Sequence, residues 1–99
     1  MDVHFHLNGT DFVWNARKAA ANPGKHDGVR FEDAVTVFFD PLVRVVDASR
    51  NDEARDAVIG FDATGRLLFV VHVQIEDAAI RIVSARKATS HERQEHEHF

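Results

Sequence analysis

Ten residues of this chain read Ile80-Arg81-Ile82-Val83-Ser84-Ala85-Arg86-Lys87-Ala88-Thr89, an apolar run with one inserted arginine that opens into a basic pair and a helix start. Chemically this is fixed positive charge at the end of a strand. Thr89 and Glu92 stand at capping-box spacing, in which a hydroxyl and a carboxylate satisfy each other's orphan backbone amides, so a helix is predicted to begin here. Arg86 and Lys87 are then expected in the turn between two rigid elements, held against an anion at little ordering cost. Phosphate suits such a pair. The competing reading pairs Arg81 with a carboxylate on a neighbouring strand and uses Arg86 to cap a carbonyl.

Seven histidines supply the side chain whose intrinsic pKa, about 6.5, suits proton donation and acceptance near neutrality. His72 lies in an apolar run on the same predicted strand face as Leu68 and Val70, so a core histidine competes with a catalytic one. His26 follows Lys25 in a turn and either moves protons or orients two helices. Glu53 could act as a base beside Arg55 or form an exposed ion pair with it. His96 either transfers a proton or is a solvated helix residue. His4 and His6 share a strand face, but His91 and His98 are two helical turns apart, roughly 10 Å, so no metal site is expected. Phe31, Phe38 and Phe39 have the spacing of a buried helix face rather than of a base-stacking platform.

The elements that must position these groups are those of one modest domain, 99 residues with 44% hydrophobic content, and a single unit over residues 1–99 is expected. No apolar run approaches the roughly 20 residues of a spanning helix, and no charged-then-apolar leader opens the chain, so a cytoplasmic location without membrane contact is the expectation. The absence of cysteine excludes disulfides, thiolate nucleophiles and cysteine-based zinc sites. A net charge of -4 argues against broad, sequence-indifferent nucleic-acid binding, while leaving room for a small basic site on an acidic body.

Residues 3–7 alternate, Asn8-Gly9 is a turn, and Phe12-Val13-Trp14 returns, which predicts a hairpin. Asn15 is placed to cap a helix over residues 16–22 that Pro23-Gly24 stops. Phe31, Ala34, Val35, Phe38 and Phe39 recur at helical spacing until Asp40-Pro41, predicting a second helix. Strand-like runs follow at residues 43–46, 57–61, 67–73 and 79–83, joined in part by Asp62-Ala63-Thr64-Gly65 and Glu76-Asp77-Ala78. The expected architecture is α+β: an N-terminal β-hairpin and two helices, then a four-stranded, largely antiparallel sheet with residues 67–71 as a central strand, and a polar helix over residues 91–99.

Phe12-Val13-Trp14-Asn15, Lys18-Ala19 with Asn22, Lys25-His26 before Gly28-Val29, Phe31-Glu32-Asp33-Ala34, Val37-Phe38 with Asp40-Pro41, Ile59-Gly60, Gly65-Arg66-Leu67-Leu68, Val70-Val71-His72 and the 80–89 run follow in an order that resembles BrnT-type toxins of type II toxin-antitoxin systems. The resemblance covers residues 12–93. It implies a RelE-like fold, metal-independent ribonuclease activity that blocks translation, no cofactor, and neutralisation by a BrnA-type antitoxin whose ribbon-helix-helix portion binds promoter DNA. Arg55, Arg81, Arg86 and Lys87 match its basic positions and are the expected catalytic cations, with Lys25, Arg81, Arg86 and Lys87 the expected contacts to RNA; His26, His72, Glu53 and His96 are the candidates for proton transfer. RNA cleavage of this kind needs a base for the 2′-hydroxyl, cations for the phosphorane and an acid for the leaving 5′-oxygen. The chain departs from the pattern where similar sequences read Asp-x-x-His-Ser before Glu-Glu-Arg: it has Ser49-Arg50, then Glu53-Ala54-Arg55. Val73-Gln74-Ile75 replaces Thr-x-Arg, and His96 stands where relatives often carry tyrosine. These departures leave open a second reading, a subunit that has lost cleavage and serves only as a binding partner in a DNA-bound regulatory complex.

Overall fold

A computed structural model describes residues 1–49 and 54–98. Its elements run β1 (Asp2–Leu7), β2 (Thr10–Asn15), α1 (Ala16–Lys25), α2 (Phe31–Ala34), a 3-10 turn (Val35–Phe39), β3 (Arg44–Asp47), β4 (Asp56–Phe61), β5 (Leu67–Ile75), β6 (Ala79–Lys87) and α3 (Ser90–Glu97). Among the described residues six strands form one sheet in the order β1-β2-β6-β5-β4-β3. The α+β class holds, but the expected four-stranded sheet is too small. The N-terminal hairpin joins it through β2, which runs parallel to β6 with Phe12 beside Ile80 and Val13 beside Arg81. A hairpin's local turn chemistry carries no information on where it docks. Its apolar face does the docking, because Val3, Phe5, Leu7, Phe12 and Trp14 all enter or pack on the core cluster.

Local chemistry explains most of the boundaries. Asn8 and Gly9 both take positive φ, at 50° and 80°, as a two-residue hairpin turn of this hand requires. Asn15 Oδ1 accepts hydrogen bonds from the backbone N–H groups of Arg17 and Lys18 and caps α1. The helix then runs past the expected stop at Pro23. A proline in the last turn gives up one N–H, but His26 N still reaches Asn22 O and Gly28 N reaches Pro23 O, so the turn closes. The predicted second helix is instead one α-turn that tightens into the 3-10 turn. The cause lies in Val35-Thr36-Val37, three β-branched residues in a row, with the Thr36 hydroxyl donating to Asp33 O at 2.6 Å and competing for a carbonyl an α-helix would use.

The core fills one face of the sheet. Phe12, Trp14, Val58, Leu68, Val70, Ile82 and Ala85 pack there against Val29, Phe31, Ala34, Val35 and Val37. β6 keeps this face only by an irregularity. Val71 pairs with Ser84 but His72 pairs with Ile82, so Val83 is an extra residue opposite the β5 ladder. Ile82 and Ala85, three apart, therefore both face the core, and Arg81, Ser84 and Arg86 all project from the other face with Phe69, Val71 and Val73.

Candidate active site

The site grows from the C-terminal half of β6. β2 pairs with β6 only as far as Val13 and Arg81, because the chain turns into α1 after Asn15. The exposed edge of β6 is completed by a side chain instead of a strand. Asn22 Nδ2 donates to Ala85 O at 2.8 Å and to Val29 O at 2.8 Å, and Ala85 N donates to Asn22 Oδ1 at 3.3 Å. This carboxamide is 4% exposed. It clamps the last turn of α1 to β6 and sets His26, the C-cap residue, beside Ser84 and Arg86.

From the other side, Ala48 N donates to Arg55 O at 3.0 Å, and Ser49 Oγ exchanges hydrogen bonds with the Arg55 backbone at 3.2 and 3.3 Å. The two arms of the β3–β4 connection are thereby held together with Arg55 at the rim. The result is a hollow of about 390 Å³ with His26, Arg55, Ser84 and Arg86 as polar lining and Ala48, Phe69 and Val71 as floor. It joins an imidazole and two guanidinium groups delivered by separate parts of the chain.

Arg86 is held from several sides. Its guanidinium carbon lies 4.1 Å from the centre of the Phe69 ring. Nη1 and Nη2 donate to the two Glu92 oxygens at 2.8 and 2.9 Å, and Nη1 also donates to Lys87 O. The hydrogen bonds from Arg86 hold the Glu92 carboxyl below the usual carboxylate range, against the opposing effect of burial. Glu92 also closes the capping box read from the sequence, accepting from Thr89 N while Thr89 Oγ1 accepts from Glu92 N.

Other residues singled out from the sequence fall elsewhere. Arg86 and Lys87 are not in a turn: β6 continues through both, with Ala88 N bonding to Leu67 O, and strand alternation sends Lys87 to the helix-covered side opposite Leu68. Arg81 shares the open face with Arg86 but sits opposite Val73, while Arg86 sits opposite Phe69, a separation of about 13 Å along the ladder. It is engaged by Asp2 at 2.9 and 3.3 Å, the strand-carboxylate pairing that was the competing reading; its hydrogen bond lowers the Asp2 pKa and raises that of Arg81. His72 faces the core, 8% exposed, edge-on to Phe38 at 5.0 Å between ring centres. Its Nδ1 is buried without a hydrogen bond of good geometry, and burial pushes the imidazole below its ordinary pKa.

His96 stands at the far end of α3, donating to Leu42 O at 3.1 Å and edge-on to Phe61. The second hollow it lines has Pro41, Leu42, Val43 and Phe61 as apolar walls and Arg44 and Glu97, of opposite charge, at its polar side. Lys25 is exposed in the last turn of α1, next to His26 but outside the lining. Glu53 lies outside the described residues. Among the described residues no group of three or more His, Asp or Glu side chains is arranged to hold a metal ion, and no helix is long and apolar enough to cross a membrane.

Asn22, Phe69 and Ser84 have site roles that the sequence reading misses. Asn22 occurs in the quoted family pattern without a role, Phe69 reads only as strand core, and Ser84 is an unremarkable polar residue within a strand. Only the alternation of Ser84 with Arg86 hints at a shared face, and the extra residue at Val83 obscures where that face leads. Against known proteins, the family model described as "Ribonuclease toxin, BrnT, of type II toxin-antitoxin system" matches residues 14–92. No curated protein matches the chain.

Proposed function

Because the chain belongs to the BrnT family of ribonuclease toxins from type II toxin-antitoxin systems, we propose that it cleaves RNA without a metal ion at the hollow between His26, Arg55 and Arg86. A protein antitoxin of the BrnA type, with a ribbon-helix-helix portion that carries the complex to promoter DNA, holds it in check by covering this hollow. Cleavage blocks translation. The observation that carries the reading is the convergence of one imidazole and two guanidinium groups on a single hollow of about 390 Å³.

In this reading a phosphodiester enters with its non-bridging oxygens toward Arg55 and Arg86. His26 takes the proton from the 2′-hydroxyl, whose oxygen attacks phosphorus to form the 2′,3′-cyclic phosphate; the bond to the 5′-oxygen breaks as that oxygen takes a proton from water, and the His26 imidazolium returns its proton to the hydroxide so formed. Two preorganised cations stabilise the phosphorane between these steps, which is commonly the largest catalytic contribution. Ser84 supplies a hydroxyl to the same space. Lys25, exposed beside His26, meets a flanking phosphate. Arg81, engaged by Asp2, and the core residue His72 are outside this machinery.

The test is purified protein with labelled RNA and excess chelator. Cleavage is expected to persist. It should fall about 10²–10⁴-fold in His26→Ala, the usual weight of an acid-base group, and about 10²–10³-fold in Arg86→Ala. Loss of cleavage on chelation, or full activity in both variants, overturns the proposal. The bidentate engagement of Arg86 by Glu92 favours one other reading, a binding-only subunit. That reading holds if expression without the antitoxin leaves growth and RNA intact.

A further inference from the structure

Glu92 offers Arg86 the same ligand geometry that a phosphodiester would. Its two oxygens accept one hydrogen from each terminal nitrogen, at 2.8 and 2.9 Å, in the fork arrangement that guanidinium gives to carboxylate and phosphate alike. The carboxylate belongs to α3, and that helix is attached in an unusual way. None of its residues is buried. Arg86 to Glu92, Arg44 Nη1 to Glu95 O at 3.0 Å, His96 to Leu42 O at 3.1 Å, and the His96 ring on Phe61 tie it to the sheet and the β3 region through polar and edge contacts. An eight-residue helix with no buried apolar residue belongs to the part of a protein that opens at low cost.

We propose that α3 is a carboxylate-tipped latch, in which Glu92 occupies the phosphate position on Arg86 in the resting protein and is displaced by RNA when the site engages. This rests on the reading of the hollow as a phosphate site. A phosphodiester and the Glu92 carboxylate on one guanidinium are like charges in contact range, so each weakens the other, and one must leave for the other to take the full fork. Arg86 itself stays in place, because Phe69 beneath it and Lys87 O beside it hold the group independently of Glu92. The latch therefore releases a cation that is already oriented. The opposite arrangement is a fixed clamp, with Glu92 retained while phosphate takes the Nε edge of Arg86, and it makes opposite predictions.

The decisive variant is Glu92→Gln. Glutamine serves a capping box as glutamate does, so the start of α3 is kept while the charge on Arg86 is lost. The probe is a single-stranded 2′-deoxy oligonucleotide, which lacks the attacking hydroxyl, with affinity measured in a cycle of wild type, Glu92→Gln, Arg86→Ala and the double variant. Glu92→Gln should bind about tenfold tighter than wild type, as expected for relief of one charge-assisted contact. In the Arg86→Ala background the same change should have no effect. Equal tightening with and without Arg86 would reveal only the lower net charge and overturn the latch; unchanged or weaker binding establishes the clamp and overturns it too.

A second measurement uses the unaltered protein. Hydrogen exchange over residues 90–97 should accelerate when the oligonucleotide binds, and unchanged or slower exchange refutes displacement. RNA cleavage in the same four proteins separates the two proposals. A normal binding cycle with no cleavage in any variant would sink the ribonuclease reading and leave the latch standing, whereas cleavage with a flat cycle does the reverse.

Discussion

Asn22 shows how much one buried side chain can do when a strand loses its neighbour. Its carboxamide makes three hydrogen bonds, to Val29 and to both polar groups of Ala85. Asn22→Asp is nearly isosteric but cannot donate, so it turns an oxygen toward two carbonyls and buries a charge. We expect Asn22→Ala to lower stability by about 2–4 kcal/mol, the scale of leaving buried polar groups unpaired, and Asn22→Asp to lower it further at neutral pH, both read by urea denaturation. His72 gives a prediction of a different kind. Folding depresses its pKa below the ordinary 6.5, so the neutral imidazole's contribution is intact above that pH. It declines as pH falls through about 6.5, where only the unfolded chain takes the proton, and levels off below the folded pKa. His72→Leu should flatten stability against pH just below the ordinary imidazole pKa relative to wild type while RNA cleavage persists. Residue types alone suggest both roles for His72, and strand alternation, which sets it on the face of Leu68 and Val70, turns it to the core.

Among the elements, the turns and caps were legible because their chemistry is local. Asn8-Gly9, the Asn15 cap, the Asp62–Gly65 turn and the Thr89–Glu92 box all formed as read. What escaped were features decided by distant partners. The parallel docking of β2 on β6 depends on apolar surface from opposite ends of the chain, and the 3-10 turn depends on competition for Asp33 O. The site shared this division: Arg86, Arg55 and His26 stood out by type, whereas Phe69, Ser84 and Asn22 gained their roles from cross-strand position. The 3-10 turn also explains a glycine. A Cβ on Gly60 would lie 3.0 Å from Asp40 Oδ2, 3.1 Å from Val37 Cγ1 and 3.3 Å from Val43 Cγ2. Asp40 cannot yield freely, since the same oxygen accepts from Phe61 N at 2.7 Å. Gly60→Ala should therefore cost about 1–3 kcal/mol, the range for overpacking a filled interior, measurable as a lower thermal midpoint.

At the scale of the whole molecule, the sheet divides its work between two faces, one buried under α1, α2 and the 3-10 turn, the other carrying the hollow and α3. The Arg81–Asp2 pair ties β6 to β1 across β2 on this second face, with both side chains partly exposed. Exposed pairs contribute little, so Asp2→Asn should leave the urea denaturation midpoint close to that of wild type. Arg81→Ala should leave RNA cleavage near wild type while Arg86→Ala lowers it about 10²–10³-fold, a contrast that tests whether the chemistry is confined to one end of β6. The irregularity at Val83 has a larger consequence. Arg81 and Arg86 are an odd number of positions apart, and a regular strand would have pointed them in opposite directions. Because Val83 is the residue without a partner across the ladder, excising its codon would leave a regular strand in which every neighbour keeps its side and both guanidinium groups stay opposite Val73 and Phe69. A one-residue deletion here, without touching any reacting group, should thus leave RNA cleavage in place.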